Sequence, residues 1–94
     1  MREFEIKPNI QRILRKLFKR DKVAYEALLR KISEIINSPN VEHYKNLRYG
    51  IKDRKRVHVS KSFVLIFSYD AEKDFVAFLD YDHHDNIYRK KSQK

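Results

Sequence analysis

Two stretches in the first half of the chain carry apolar residues at helical spacing. The first follows Pro8 and Asn9 and has apolar residues at positions 10, 13, 14, 17 and 18, with arginines and lysines between them. The second covers residues 25–36 and stops at a polar, proline-containing cluster. This period predicts two amphipathic helices. Because only three polar residues, 20–22, separate them, we expect an antiparallel helical hairpin.

Other stretches alternate apolar and polar residues with a period of two, which is the spacing of a strand. Residues 2–7 predict a short first strand with one buried face. After residue 55 the alternation resumes, with Val57 and Val59 on one side of a strand and Arg56 and His58 on the other.

Residues 63–67 are apolar at every position, which predicts a central strand buried on both faces. A polar turn at 71–74 leads to a last strand over 75–81, whereas residues 41–54 have no clear period and are expected to form an ordered loop. The predicted order is β-α-α-β-β-β. We therefore expect an α+β fold, in which the helical hairpin packs on a small, mainly antiparallel sheet.

The length of 94 residues allows one domain, predicted to cover residues 1–88 and to be followed by a basic tail over 89–94. The chain has no cysteine, which excludes a disulfide framework or a thiolate metal site and fits a reducing cytoplasm. It shows neither a signal-peptide pattern nor an apolar run long enough to cross a membrane, so a cytoplasmic location is expected.

The charge points to an anionic partner. There are 22 lysines and arginines against 13 acidic residues, which leaves a net charge of +9. A small basic domain favours nucleic acid, an acidic protein or an anionic membrane surface.

Three stretches resemble the RelE/ParE toxin superfamily, and most of all the YafQ-type branch of RelE. They are LRYG at 47–50, KRVHVSKSFVLIF at 55–67 and DHHDNIY at 82–88. The resemblance implies a RelE-like fold and an endoribonuclease that cuts mRNA on the ribosome without a metal or any other cofactor. It also implies a cognate antitoxin protein as partner, and no membrane association.

The same resemblance assigns site residues. In the YafQ branch, two histidines and a C-terminal phenylalanine act in cleavage, and they match His58, His84 and Tyr88. RelE itself has a tyrosine at the last position, and basic residues where this chain has Arg56 and His58.

Two positions depart from the family pattern. Val64 stands where RelE has an arginine on the central strand, and Ser62 stands near the place of an acidic residue of YafQ. The loop histidine of that branch falls near Lys45.

The residues themselves support this chemistry. Cleavage without a metal needs a base for the 2′-OH, an acid for the leaving 5′-oxygen and a cation for the charge that develops on phosphorus. His58 and His84 can divide the first two roles in either order, because histidine titrates near working pH. Arg56 can hold the phosphate, and Asp82 and Asp85 are candidates to orient and tune His84. Candidate phosphate contacts are Lys45, Arg48, Lys52, Arg54 and Lys61.

Strand parity separates the two adjacent histidines of the DYDHHD stretch at 80–85. Neighbouring residues of a strand point to opposite faces, so His83 and His84 are not expected to share a metal ion. If the last strand stays regular, Asp80, Asp82 and His84 form one row near the row of His58. No metal site is predicted, and His83 is expected to matter less than His84.

Several alternatives remain open at this stage. His58 and His84 can be ordinary surface histidines, Tyr88 can fasten the tail to the core, and the basic run can be a solvated face or the groove that an acidic antitoxin fills. His43 is expected to be structural or exposed. The whole protein can also be a ParE-like inhibitor of a topoisomerase that is not an enzyme, or an RNA- or ribosome-binding module without cleavage activity.

Overall fold

A computed structural model of the protein describes residues 1–47 and 54–87. Its main elements there are β1 (Glu3–Ile6), α1 (Pro8–Arg20), α2 (Lys22–Asn37), β2 (Arg54–His58), β3 (Phe63–Asp70) and β4 (Phe75–His83). A short 3-10 turn covers Val41–His43, and a helical turn covers residues 84–87. The predicted α+β order is confirmed. Tyr88 and the predicted tail at 89–94 lie outside the described residues.

The strands form one sheet in the order β1-β4-β3-β2. β1 runs parallel to β4, whereas β3 is antiparallel to both of its neighbours. The mainly antiparallel sheet and the interior position of the apolar strand β3 are therefore as predicted. β4 extends two residues past its predicted end and stops at His83.

Asp21 is the single residue between the two helices. Its backbone N–H donates to the carbonyl oxygen of Leu17 at 2.8 Å, which ends α1. Its carboxylate accepts from the amide of Ala24 at 3.1 Å and so caps the start of α2. The helical hairpin is thus specified by a capping residue within a polar break. Neither helix of the described residues has the length and apolar character that a membrane crossing requires.

Both helices pack on the same face of the sheet, which we call the helix face. Its core is formed by the apolar sides of the helices and by alternate strand residues, among them Ile10, Leu28, Ile35, Leu65, Phe67, Val76 and Phe78. Burying a side chain as large as Phe67 contributes about 1.5–3 kcal/mol. Phe4 departs from the expected buried face of β1, because it lies on an edge strand and is 40% exposed.

The other face of the sheet, which we call the opposite face, has a smaller apolar cluster. Val64 and Ile66 of β3 form it with Leu47 and Ile87, and all four are buried. Leu47 precedes β2, and Ile87 ends the helical turn after β4. The segment before β2 and the segment after β4 therefore fold back over this face.

A register shift interrupts the pairing of β3 with β4. Phe67 pairs with Phe78 and Ile66 with Asp80, so Leu79 is an extra residue on β4. Such a bulge changes the side-chain alternation along the strand. Because of it, Phe78 and Tyr81 both lie in the helix-face core, although regular alternation would put residues three positions apart on opposite faces. Asp80 and Asp82, which pair with Ile66 and Val64, lie on the opposite face as expected, whereas His84 leaves the row because β4 ends at His83.

Candidate active site

The row Arg54, Arg56 and His58 lies on the opposite face, as the alternation predicted. His58 pairs with Val64, and Arg56 pairs with Ile66. Paired residues project to the same side of a sheet, and Val64 and Ile66 belong to the opposite-face cluster. The row therefore stands on the side of the sheet away from the two helices, with His58 exposed at its end.

Arg56 is half-buried, and part of its guanidinium group is shielded from solvent. Among the described residues, its Nε is the one buried side-chain nitrogen or oxygen without a hydrogen-bond partner. A buried donor left unpaired costs about 1–3 kcal/mol. An anionic oxygen would offset that cost, because the guanidinium group offers five N–H donors in one plane.

The segment before β2 brings Lys45 next to this row. The amide of Arg56 donates to the carbonyl oxygen of Lys45 at 2.9 Å, and the amide of Leu47 donates to that of Arg54 at 2.8 Å. Residues 45–47 therefore lie along the outer edge of β2, and the side chain of Lys45 is exposed there.

Lys55 holds that segment in place and was missed by the sequence reasoning. Its side chain is buried, and its Nζ donates to the carbonyl oxygen of Tyr44 at 3.1 Å and to Oδ1 of Asn46 at 3.2 Å. The available signal was its parity. Lys55 shares the side of Val57 that faces the core, where a lysine needs polar partners.

Tyr44 fixes the same segment to α2. Its hydroxyl donates to Oε2 of Glu34 at 2.6 Å. Burial, followed by that hydrogen bond, raises the pKa of Tyr44 to about 12. The hydrogen bond from Tyr44 is also the largest cause that lowers the pKa of Glu34.

The remaining predicted phosphate contacts are only partly visible. Lys61 is exposed in the turn between β2 and β3. Arg48, Lys52 and Tyr88 lie outside the described residues. Ile87, which precedes Tyr88, is fully buried in the opposite-face cluster.

His84 does not belong to β4, because the strand ends at His83. Its amide donates to the carbonyl oxygen of Ser62 at 2.8 Å. Its Nδ1 lies 3.1 Å from Oδ1 of Asp85, so one predicted tuning residue contacts it. The other, Asp82, accepts from the amide of His83 at 2.7 Å and from the side-chain amide of Asn86 at 3.2 Å. Asp82 therefore organises the turn on which His84 stands.

The predicted separation of His83 and His84 is wrong. Their rings stack with centroids 4.7 Å apart and an interplanar angle of 24°. Strand parity fails here because the backbone turns helical directly after His83, and in a helical turn consecutive side chains are not on opposite sides. His83 therefore shares the surroundings of His84 and is not a remote neighbour.

The sheet places His58 and His84 on either side of β3. His58 pairs with Val64, and His84 lies beside Ser62. Two strand spacings and an offset of two residues put the two Cα atoms roughly 12 Å apart. The described ring contacts of His84 are with His83 and Asp85 rather than with His58. The structure thus brings the two residues to either side of β3 without a described contact between their rings.

Sequence relatives define the class of this protein, although no family model matches the chain. A protein of Methanocaldococcus jannaschii named as a candidate toxin, RelE4, is 54% identical over 91 residues, which cover 97% of this chain and 95% of that protein. An uncharacterised protein of Methanosarcina mazei is 43% identical over 84 residues, covering 89% of this chain and 95% of that protein.

Solved structures of low sequence identity share the fold. A mutant of E. coli RelE in the free state superposes with a TM-score of 0.68 at 21% identity, covering 94% of this chain and 90% of that one. The YoeB–YefM complex of Staphylococcus aureus superposes with a TM-score of 0.67 at 8% identity, covering 89% of this chain and 98% of that one. YafQ of E. coli superposes with a TM-score of 0.59 at 18% identity, covering 94% of this chain and 99% of that one.

Fold and relatives agree on one class, a RelE-like toxin domain. The chain belongs to the RelE/ParE toxin superfamily, as its sequence motifs indicated.

Proposed function

We propose that the protein is the toxin of a type II toxin–antitoxin system and that it cleaves mRNA, bound to the ribosome, as an endoribonuclease that needs no metal. The observation that supports this most is the row of Arg54, Arg56 and His58 on the opposite face, in a chain that belongs to a toxin superfamily. The net charge of +9 favours an RNA substrate.

The proposed reaction is a transesterification within the RNA. The 2′-oxygen attacks the adjacent phosphorus while the bond from phosphorus to the 5′-oxygen breaks, which leaves a 2′,3′-cyclic phosphate and a 5′-OH. One histidine of the pair His58 and His84 takes the proton of the 2′-OH, and the other donates a proton to the 5′-oxygen. Arg56, together with Arg54 or Lys52, stabilises the charge that develops on the phosphorane.

The other site residues have supporting roles in this proposal. Lys45 and Lys61, both exposed, contact the RNA backbone, and Arg48 is a further proposed phosphate contact. Tyr88 stacks on a base or positions the nucleotide. Asp85 orients His84, and Asp82 holds its turn. No cofactor takes part.

RNA binding must also turn the ring of His84. In the structure this ring stacks on His83 and faces Asp85, whereas the reaction needs it directed toward the phosphate beside His58. Exposed side chains change rotamer within nanoseconds, so this step does not limit the rate.

A cognate antitoxin is the proposed protein partner. Several proteins with this fold were solved together with one, including the E. coli RelBE complex, at a TM-score of 0.66 and 20% identity, and the YoeB–YefM complex. An acidic segment of such an antitoxin would cover the basic row and exclude RNA.

The test is cleavage by the purified chain in the presence of translating ribosomes, with the cut ends mapped. His58→Ala and His84→Ala should each lower the cleavage rate by about 10²–10⁴-fold, and EDTA should not. His43→Ala, which removes an exposed histidine from the 3-10 turn, is the matched control and should cut like the parent. The mechanism is wrong if both site variants cut as fast as the parent.

One observation favours a second candidate, an RNA-binding module without cleavage activity. Val64, at the place where RelE has an arginine, is fully buried in the opposite-face cluster and supplies no charge to a phosphate. Such a module would bind RNA with steep salt dependence and yield no cyclic-phosphate ends in the same assay.

A further inference from the structure

We propose that His83, His84 and Asp85 form a binding site for a divalent transition-metal ion such as Zn²⁺, and that the bound ion inhibits the protein by occupying His84. The inhibition rests on the proposed function, whereas the binding does not. The first observation is that one potential ligand atom from each of the three residues lies within 4.8 Å of the others.

The distances within this cluster suit a single ion. Nδ1 of His84 is 3.1 Å from Oδ1 of Asp85, and Nδ1 of His83 is 3.8 Å from Oδ2 of the same carboxylate. Two atoms bound to zinc at about 2.0–2.2 Å in a tetrahedral arrangement are roughly 3.4 Å apart. Small side-chain rotations therefore bring all three ligands to bonding distance.

The donor set indicates the kind of metal. Two imidazoles and one carboxylate suit Zn²⁺, Co²⁺, Ni²⁺ or Cu²⁺, whereas Mg²⁺ and Ca²⁺ prefer ligand sets made of oxygen. The side chains of His83, His84 and Asp85 are 38%, 40% and 64% exposed, so water can complete the coordination shell.

Neighbouring contacts hold the backbone of the cluster before any ion binds. The amide of His83 is held by Asp82, and the amide of His84 by the carbonyl oxygen of Ser62. The ring of His83 also packs edge-on against Phe63, with centroids 5.7 Å apart. Ligands that are already ordered lose less entropy on binding, which favours affinity.

One contact within the cluster competes with the ion. The amide of Asp85 donates to Nδ1 of His83 at 3.2 Å, so this hydrogen bond already occupies that nitrogen. A metal ion must replace this hydrogen bond or bind the other ring nitrogen. This competition limits the affinity for the ion.

Inhibition follows from the position of His84. The proposed cleavage needs its ring to turn away from His83 and Asp85, and an ion bound to all three residues keeps the ring in the stacked position. A reaction that needs no metal would therefore be slowed by Zn²⁺ and restored by a chelator.

Binding is tested first, by calorimetric titration of the full chain with Zn²⁺ and by the visible absorbance of bound Co²⁺. We expect one ion per chain, with affinity at least tenfold weaker in His83→Ala and in Asp85→Asn, which keeps the shape of the side chain. His43→Ala and His58→Ala should bind as the parent does. The site is refuted if the parent binds no ion at 100 μM Zn²⁺, a concentration that equals a Kd with a binding free energy of roughly −5.5 kcal/mol. It is also refuted if both ligand variants bind Zn²⁺ as well as the parent does.

Inhibition is tested next, in the cleavage assay. His83→Ala should cut at the parental rate without metal and should resist a Zn²⁺ concentration that inhibits the parent at least tenfold. Equal inhibition of parent and variant would show that Zn²⁺ acts on the RNA or elsewhere on the protein. It would refute the proposal that the ion inhibits through this site. If the parent cuts no RNA, the proposed function fails, and the titration alone decides on the site.

Discussion

Nζ of Lys55 donates a hydrogen bond to the backbone carbonyl oxygen of Tyr44 at 3.1 Å, although the lysine is only 4% exposed. The carboxylate of Glu42 lies 3.6 Å from the same nitrogen. This buried lysine links β2 to the segment that places Lys45 alongside Arg56. The candidate site thus depends on a charge that lies on the helix-face side of the strand, beneath the basic row.

Replacing that lysine should therefore destabilise the protein. Lys55→Met keeps the apolar stem but leaves the partners of Nζ unpaired, so we expect the free energy of unfolding to fall by about 1–3 kcal/mol. Urea denaturation followed by circular dichroism measures it. Lys73→Met, in the exposed turn between β3 and β4, is the control and should change the value by no more than about 0.5 kcal/mol. Equal stability of the two variants would contradict the role of Lys55.

The pair Tyr44 and Glu34 predicts a pH dependence of stability at alkaline pH. The folded protein raises the pKa of Tyr44 from 10.0 to about 12, so this residue contributes stability that is complete below pH 10 and is lost as the pH rises toward 12. Tyr44→Phe lacks the ionisable group. We expect the gap in unfolding free energy between parent and variant to shrink over that window.

Stability at acidic pH gives a second test of the hydrogen bond between Tyr44 and Glu34. The pKa of Glu34 is lowered from 4.5, first by the hydrogen bond from Tyr44, so its contribution is present above pH 4.5 and is lost as the pH falls below it. Tyr44→Phe should therefore lose less stability than the parent on acidification. A constant gap from pH 3 to 12 would show that the hydrogen bond does not form in solution.

Replacing Arg2 should also destabilise the protein, at a place far from the candidate active site. Its guanidinium donates to the carbonyl oxygens of Ile35 and Ile36 at the end of α2, and to the carboxylate of Asp74 at 2.9 Å. Arg2→Ala leaves these helix-end carbonyls without that donor and should lower the free energy of unfolding by about 1–3 kcal/mol.

The matched control for Arg2 is an arginine on the exposed side of a helix. Arg30→Ala, on α2, should stay within about 0.5 kcal/mol of the parent. Thermal and urea denaturation of both variants give the comparison. If Arg2→Ala and Arg30→Ala unfold at the same temperature and urea concentration, the side chain of Arg2 does not stabilise the packing of the N-terminal segment on α2.

RNA binding should depend on the basic row more than on net charge. Arg54→Ala and Arg56→Ala each remove one proposed phosphate contact, so the slope of log affinity against log salt should become shallower by about 0.7 per contact on single-stranded RNA. Fluorescence anisotropy with a labelled RNA at several salt concentrations measures the slope. Lys73→Ala removes the same charge at the far turn and should leave the slope unchanged; an equal effect there would refute a localised site.

Local patterning accounts for most of what was predicted correctly. The helices follow from a 3.6-residue period and the capping break at Asp21, and the interior position of β3 follows from residues 63–67 being apolar on both sides. The row of Arg54, Arg56 and His58 follows from strict alternation with Val57. Each of these depends on residues close together in the chain, so the sequence carries the signal directly.

The errors lie where distant segments meet. The extra residue Leu79 is set by the pairing of β4 with β3, and no local pattern marks it. The end of β4 at His83 depends on Asp82 and Asn86 holding a helical turn, and on the burial of Ile87 in one cluster with Val64 and Leu47. Parity reasoning assumed a strand that continues, and therefore separated two histidines that are stacked.

The sequence by itself determined the order of elements, the face of the basic row and the family, because periodicity and motifs are local properties of the chain. Only the tertiary structure decided that Lys55 is buried beneath that row, that His84 stands on a helical turn, and that His83 and Asp85 are its partners. The physical reason is that burial, strand register and the end of a strand are set by contacts between residues far apart in sequence. The free energies of those contacts cannot be derived from the residues of one local segment.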